Sequence, residues 1–104
     1  MKIGQYVRTE LLYALENGHA TSEEIELFPK ADYSKDKFNI NYPLLKKVAS
    51  RNCSQKEKND HKGKPRYYTK PIVIANEYYL LCHEWFERQR PDVGKWLNLH
   101  STKL

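Results

Sequence analysis

An α+β domain, mainly α, is the fold class these 104 residues predict, and three observations predict it. Apolar residues recur at helical spacing in the first half of the chain and again near its end. Two short β-rich runs, 72–75 and 78–82, stand side by side with two residues between them. A polar, lysine-rich stretch at 52–66 divides these regions, and the length suits a single domain with one small core. It leaves no room for a complete Rossmann domain, a barrel enzyme or a kinase. No apolar run approaches the ~20 residues of a membrane span. The start, Met1-Lys2-Ile3-Gly4-Gln5-Tyr6, has no apolar stretch of the kind a secretory signal needs. A cytoplasmic protein with no membrane partner is the expectation.

The elements follow in order. Ile3, Tyr6, Val7, Leu11, Ala14 and Leu15 keep helical spacing and Asn17-Gly18 can close the helix, so a first helix is expected over 2–17. Thr21-Ser22-Glu23-Glu24 matches a capping box, with Ala20 and Ile25 at the staple positions and Pro29 as the stop. That predicts a second, short helix over 22–28. Ser34 is read as the cap of one helical turn ending at Phe38. Asn39, which tolerates a positive φ, reverses the chain, and Ile40 is an apolar plug. Asn41 is a good N-cap and Pro43 suits a first helical turn. Leu44, Leu45 and Val48 then recur at i, i+1 and i+4, which predicts a helix over 41–50 with Lys46, Lys47 and Arg51 on its open face. The runs 72–75 and 78–82, parted by Asn76-Glu77, predict a hairpin, with Pro71 at a strand's first position. Trp85, Phe86, Val93, Trp96, Leu97 and His100 fall on one side of a final helix, or of two helices broken at Pro91.

Phe38-Asn39-Ile40-Asn41 resembles the turn of a helix-turn-helix, in which an apolar residue, a turn residue, a β-branched plug and a cap stand in that order. The resemblance covers 34–50, with Asn in place of the more usual Gly. With the hairpin and its preceding segment, 66–83, as a wing, the whole order looks like a winged helix-turn-helix: a helical bundle with a β-hairpin wing and a C-terminal helix. Tyr33-Ser34-Lys35 through Val48, with Arg66-Tyr67-Tyr68 and Glu84-Trp85-Phe86-Glu87-Arg88, also resembles small modules attached to bacterial or phage nuclease-like and restriction-type proteins.

Charge is distributed unevenly. The net +5 resolves into −2 over residues 1–45, +7 over residues 46–70 and zero over 71–104. A polyanion meets the central window first. Solvated lysine-rich loops are common, so the loop at 52–66 is expected to be flexible, and what flanks it carries more of the argument. Tyr67-Tyr68 beside Arg66 and Lys70 interleaves aromatic and basic residues, as stacking on bases requires; the simpler expectation is that about half of Tyr67, Tyr68, Tyr78 and Tyr79 face the core.

No catalytic constellation stands out. Cys53 and Cys82 read as reduced thiols, and neither reads as a nucleophile. Cysteines and histidines (Cys53, His61, Cys82, His83, with the distant His19 or His100) lack the Cys-x-x-Cys or His-x₃₋₅-His spacing of a zinc site. Asn59-Asp60-His61 offers the letters of a metal-dependent nuclease without the strand and helix that would hold a metal. Glu23, Glu24 and Glu26 are explained by helix capping and the helix dipole. The four glycines are scattered, so there is no phosphate loop. No cofactor and no metal are expected.

The function read from the sequence is therefore double-stranded DNA binding without catalysis. The helix over 41–50 enters the major groove, where Asn41 and Tyr42 approach base edges and Lys46, Lys47 and Arg51 engage phosphates, and Lys56, Lys58, Lys62, Lys64, Arg66 and Lys70 of the loop and wing extend onto the flanking backbone. Few base-reading side chains mean modest specificity, which a homodimer or a larger protein partner would raise. The alternative is a protein-interaction or oligomerisation module built on the same fold. A small metal-dependent nuclease ranks last.

Overall fold

The structure, a computed structural model, describes residues 1–51, 55–59, 62–68 and 70–101. Among these, four helices pack on one face of a three-stranded antiparallel sheet. The helix α1, 3–16, is α-helical over Ile3–Tyr6 and Leu12–Glu16 with a π turn, Val7–Leu11, between. Its stripe of Ile3, Val7, Leu11, Ala14 and Leu15 is buried, as the apolar spacing predicts. The helix α2, Ser22–Leu27, starts on the expected capping box: Thr21 Oγ1 accepts from the Glu24 N–H at 3.1 Å, and Glu24 Oε1 accepts from the Thr21 N–H at 2.8 Å.

The helix α3, Ala31–Phe38, is longer than the single turn expected, and Ser34 is not its cap. Ser34 lies inside the helix, fully buried, where its hydroxyl donates to the Phe28 carbonyl at 2.9 Å and accepts from the Leu44 N–H at 2.8 Å. Asn39 ends α3 at φ 57°, ψ 34°, the left-handed conformation predicted for it, and Ile40 is fully buried.

From there the structure departs from the sequence reading. Residues 41–50 do not form a helix: Leu45–Val48 is a strand, β1, that pairs antiparallel with β3, Glu77–Leu81. The strand β2, Ile72–Ile74, pairs with the other edge of β3, giving the order β1-β3-β2. Two physical reasons account for the difference. Pro43 holds Tyr42 away from the helical region, so no cap forms at Asn41. The sheet is also covered on both faces, so Leu45 is buried on one side and Val48 on the other, and the triplet Leu44, Leu45, Val48 fits a doubly buried strand as well as a helix.

The hairpin is present one residue earlier than expected, with Ala75 and Asn76 both at positive φ (51° and 67°) in its two-residue turn. Past β3 the central strand continues, since the Cys82 N–H donates to Leu44 and Tyr67 bridges Cys82. The helix α4, Arg90–Ser101, carries Pro91 in its first turn.

The inner face of the sheet (Leu45, Ile72, Ile74, Tyr79, Leu81) closes on α1, Phe28, Phe38, Val93 and Trp96. Burying each such side chain contributes roughly 1.5–3 kcal/mol. Phe38 sits 5.7–6.0 Å from the rings of Phe28, Trp85 and Trp96 and joins α3 to the C-terminal segment. Phe86, expected on the packed side, is 57 % exposed, because the chain turns there into a short 3₁₀ segment, Glu87–Gln89. The outer face carries a smaller cluster of Val48, Tyr67, Leu80 and Cys82, with Tyr42 and Tyr78 against it. No helix among the described residues is long and apolar enough to cross a membrane.

Candidate nucleic-acid interface

Of the described basic residues, Lys46, Arg51 and Arg66 lie on the outer face and Lys47 on the edge strand β1. The segment after β1 folds back over this face: Gln55–Lys58 forms a 3₁₀ turn, Asn59 bridges Pro65, and the Arg66 N–H donates to Lys58 at 3.0 Å. Residues 52–54, 60 and 61, and with them Cys53 and His61, lie outside the described residues, as does the side chain of Lys56.

Three cations stack on the tyrosines of this face. Arg66 lies 4.6 Å from the Tyr42 ring centre, Lys46 5.8 Å from Tyr67 and Arg51 5.9 Å from Tyr78. Each such contact is worth about 0.5–1 kcal/mol where solvent reaches it. The tyrosines divide as expected, with Tyr67 and Tyr79 buried and Tyr68 and Tyr78 half-buried.

The lysines and arginines are not equivalent. Lys46 and Lys47 are adjacent on a strand and therefore point to opposite faces, which a helix would have prevented. Lys46 is half-buried and donates to the Glu57 carbonyl at 2.5 Å; Lys47 is exposed and paired with Glu77 at 3.4 Å. Arg66 is paired with Glu84, which His83 also approaches at 3.0 Å. A phosphate reaching Arg66 has to compete with that carboxylate, so Arg66 chiefly fixes Tyr42 and the loop return. Arg51, Lys62, Lys64 and Lys70 are exposed and Lys58 is half-buried.

A shallow groove runs along the β1 edge between Pro29 and Asn59. It brings together Asn41, Tyr42, Lys46 and Lys47, four of the residues singled out from the sequence, and Tyr67 closes it. Lys70 falls elsewhere, in a cleft it shares with Arg8. Arg8 escaped the sequence reading because it lies in the net-acidic half; its signal was the four-residue row Arg8, Leu12, Glu16 on α1.

Cys82 is fully buried under the outer face, and burial pushes its thiol up to about 12. It is protonated at neutral pH and behaves as a small core residue, as expected. Among the described residues no three His, Cys, Asp or Glu side chains come together as a metal site would require. Compared with protein-family models, curated proteins and solved structures, the chain finds no match in any of the three.

Proposed function

We propose that this chain is a DNA-binding module of the cytoplasm that engages the duplex backbone through the β1-edge groove and the basic segment covering the outer sheet face. The observation that carries the reading is that Lys46 and Lys47 line one groove while Lys46, Arg51 and Arg66 stand over the tyrosines of one sheet face, within a sequence window of net charge +7. The helical side offers no equivalent: α3 presents Lys35 and Lys37 together with Asp32 and Asp36, a net charge of zero. In winged-helix terms the strand β1 stands where a helix over 41–50 would have made the contact. Arg51, Lys58, Lys62 and Lys64 are the phosphate contacts, and Asn41 and Tyr42 are the side chains set to approach base edges; Lys70, placed with them from the sequence, stands at the other cleft.

Fluorescence anisotropy with a short random-sequence duplex at several salt concentrations tests this. Four phosphate contacts give a log–log salt slope of about −3.6. The exposed pair Lys62→Glu/Lys64→Glu weakens binding roughly tenfold or more at low salt. Absence of binding at low salt, or unchanged affinity in that variant with its fold intact by circular dichroism, overturns the proposal.

A further inference from the structure

Tyr67 also lines a second cleft, of about 580 Å³, between α1 and the segment leading into β2. That size is within the range of small-molecule sites. Its α1 wall is the row Arg8, Leu12, Glu16. In a regular α-helix a four-residue row drifts by about 40° per step. The π turn Val7–Leu11 widens the helix at this point, and such turns within α-helices recur at functional sites. Across from α1, Ile72 and Leu81 add apolar floor, and the Tyr68 and His83 rings stand 5.7 Å apart. The Tyr68 hydroxyl donates to the Gly4 carbonyl at 3.5 Å, which ties the ring to α1, and the Arg8 guanidinium lies 5.3 Å from its centre. Unlike Lys47 and Arg66, neither Arg8 nor Lys70 has a carboxylate partner among the described residues.

We propose that this cleft binds a single nucleotide unit, with its phosphate on Arg8 and Lys70, its base against the Arg8–Tyr68 stack, and the exocyclic amine of the base donating to Glu16. A planar guanidinium held on an aromatic ring extends the surface on which a base stacks. Two cations without carboxylate partners supply charge for the phosphate. Glu16 lies eight positions beyond Arg8 on the same helix, on the order of 12 Å along its axis, about the reach from a phosphate to the far edge of its base. A carboxylate there favours adenine, cytosine and guanine over thymine, which presents no amine. The unit is either a free mononucleotide or an unstacked nucleotide of a bound strand. The inference extends the DNA-binding reading, since Tyr67 stands between this cleft and the β1 groove, and it is tested apart from it.

The test is an NMR titration of the ¹⁵N-labelled full chain with dAMP, deoxyadenosine, thymidine monophosphate and a short oligo-dA strand. Saturable shifts of the Arg8, Leu12, Tyr68 and Lys70 amides with dAMP are expected. Deoxyadenosine binds about tenfold more weakly, thymidine monophosphate a few-fold more weakly, and Arg8→Gln weakens dAMP about tenfold. Lys62→Glu/Lys64→Glu leaves dAMP binding within about twofold, because those lysines serve the duplex interface. Oligo-dA binding more tightly than dAMP at these amides assigns the source to a strand, and equal binding assigns it to the free nucleotide; either supports the cleft. No saturable shift with dAMP at millimolar concentration, or an unchanged affinity in folded Arg8→Gln, overturns it, and duplex binding with its salt slope then still stands. Saturable dAMP binding without any duplex binding leaves the cleft in place and removes the DNA reading.

Discussion

Glu24 shows how much one side chain can hold. Its Oε1 closes the capping box on α2, its Oε2 accepts from the Trp96 indole N–H at 2.9 Å, and His100 Nε2 lies 3.0 Å from both oxygens. Burial by itself pushes this carboxyl up, but the hydrogen bonds from Thr21, Trp96 and His100, with the His100 charge, together hold it below its ordinary value. A depressed acid stabilises the fold fully above the ordinary glutamate value of about 4.3, and that contribution is lost as the pH falls through the lower folded-state value. Glu24→Gln is expected to cost about 1–3 kcal/mol in urea denaturation at pH 7, and the gap from the wild type narrows as the pH is lowered through that window. Only the capping half of this role is written locally, in Thr21-Ser22-Glu23-Glu24; the contacts to α4 come from residues more than seventy positions away. Asn39 is the opposite case, a residue whose own chemistry announces its conformation. At φ 57° a Cβ-bearing side chain without a polar group is strained, so Asn39→Ala is expected to lower stability by about 1 kcal/mol while Asn39→Gly changes it little, as thermal denaturation would read.

At the scale of elements, Ser34 decides how α3 meets the sheet. Its hydroxyl satisfies the Phe28 carbonyl and the Leu44 N–H at once, joining the end of α2 to the entry of β1. Ser34→Ala leaves the Leu44 N–H unpaired and the Phe28 carbonyl with only the 3.5 Å bond from the Leu45 N–H, and a loss of about 1–3 kcal/mol in unfolding free energy is expected from denaturant titration. The sequence marks Ser34 as a helix cap because serine commonly plays that part; burial inside α3 gives it a different one. A similar gap separates the reading of 41–50 from the strand found there. The local signals, Asn41 as cap, Pro43 in a first turn and a four-residue apolar spacing, are all compatible with a helix. The ladder to Tyr78–Leu81 supplies what they omit, hydrogen bonds to a strand distant in sequence. The elements whose signals are local and unopposed, α1, α2, the Asn39 turn and the hairpin, stand within a residue or two of their expected places, whereas α3 outgrows the single turn expected and α4 starts only at Arg90, leaving Trp85 and Phe86 outside any α-helix.

For the whole molecule, the separation of charge between faces is the property that matters for binding. The β1 edge and outer face hold Lys46, Lys47, Arg51 and Arg66 of the basic window, while α3 is balanced and the first half of the chain is mildly acidic. At about 0.1 M salt the Debye length is ~10 Å, so charges away from the contact surface contribute little. Reversing two charges on α3, Lys35→Glu/Lys37→Glu, is therefore expected to leave duplex affinity within about twofold by anisotropy, against the roughly tenfold loss for Lys62→Glu/Lys64→Glu. Equal losses would move the contact to the helical side. Within the basic window, contacts between distant segments engage three of the cations: Lys46 on the Glu57 backbone carbonyl, Lys47 on the Glu77 carboxylate and Arg66 on the Glu84 carboxylate. By itself the sequence determined the α+β class, the ends of α1 and α2, the turn at Asn39, the hairpin and the position of the excess charge along the chain, because each depends on neighbours within a few residues. Only the tertiary structure decided that 45–48 is a strand, that Lys46 and Lys47 part to opposite faces, and that Arg8 joins Lys70 and Tyr68 at one cleft, because each depends on the burial and pairing of segments brought together from distant parts of the chain.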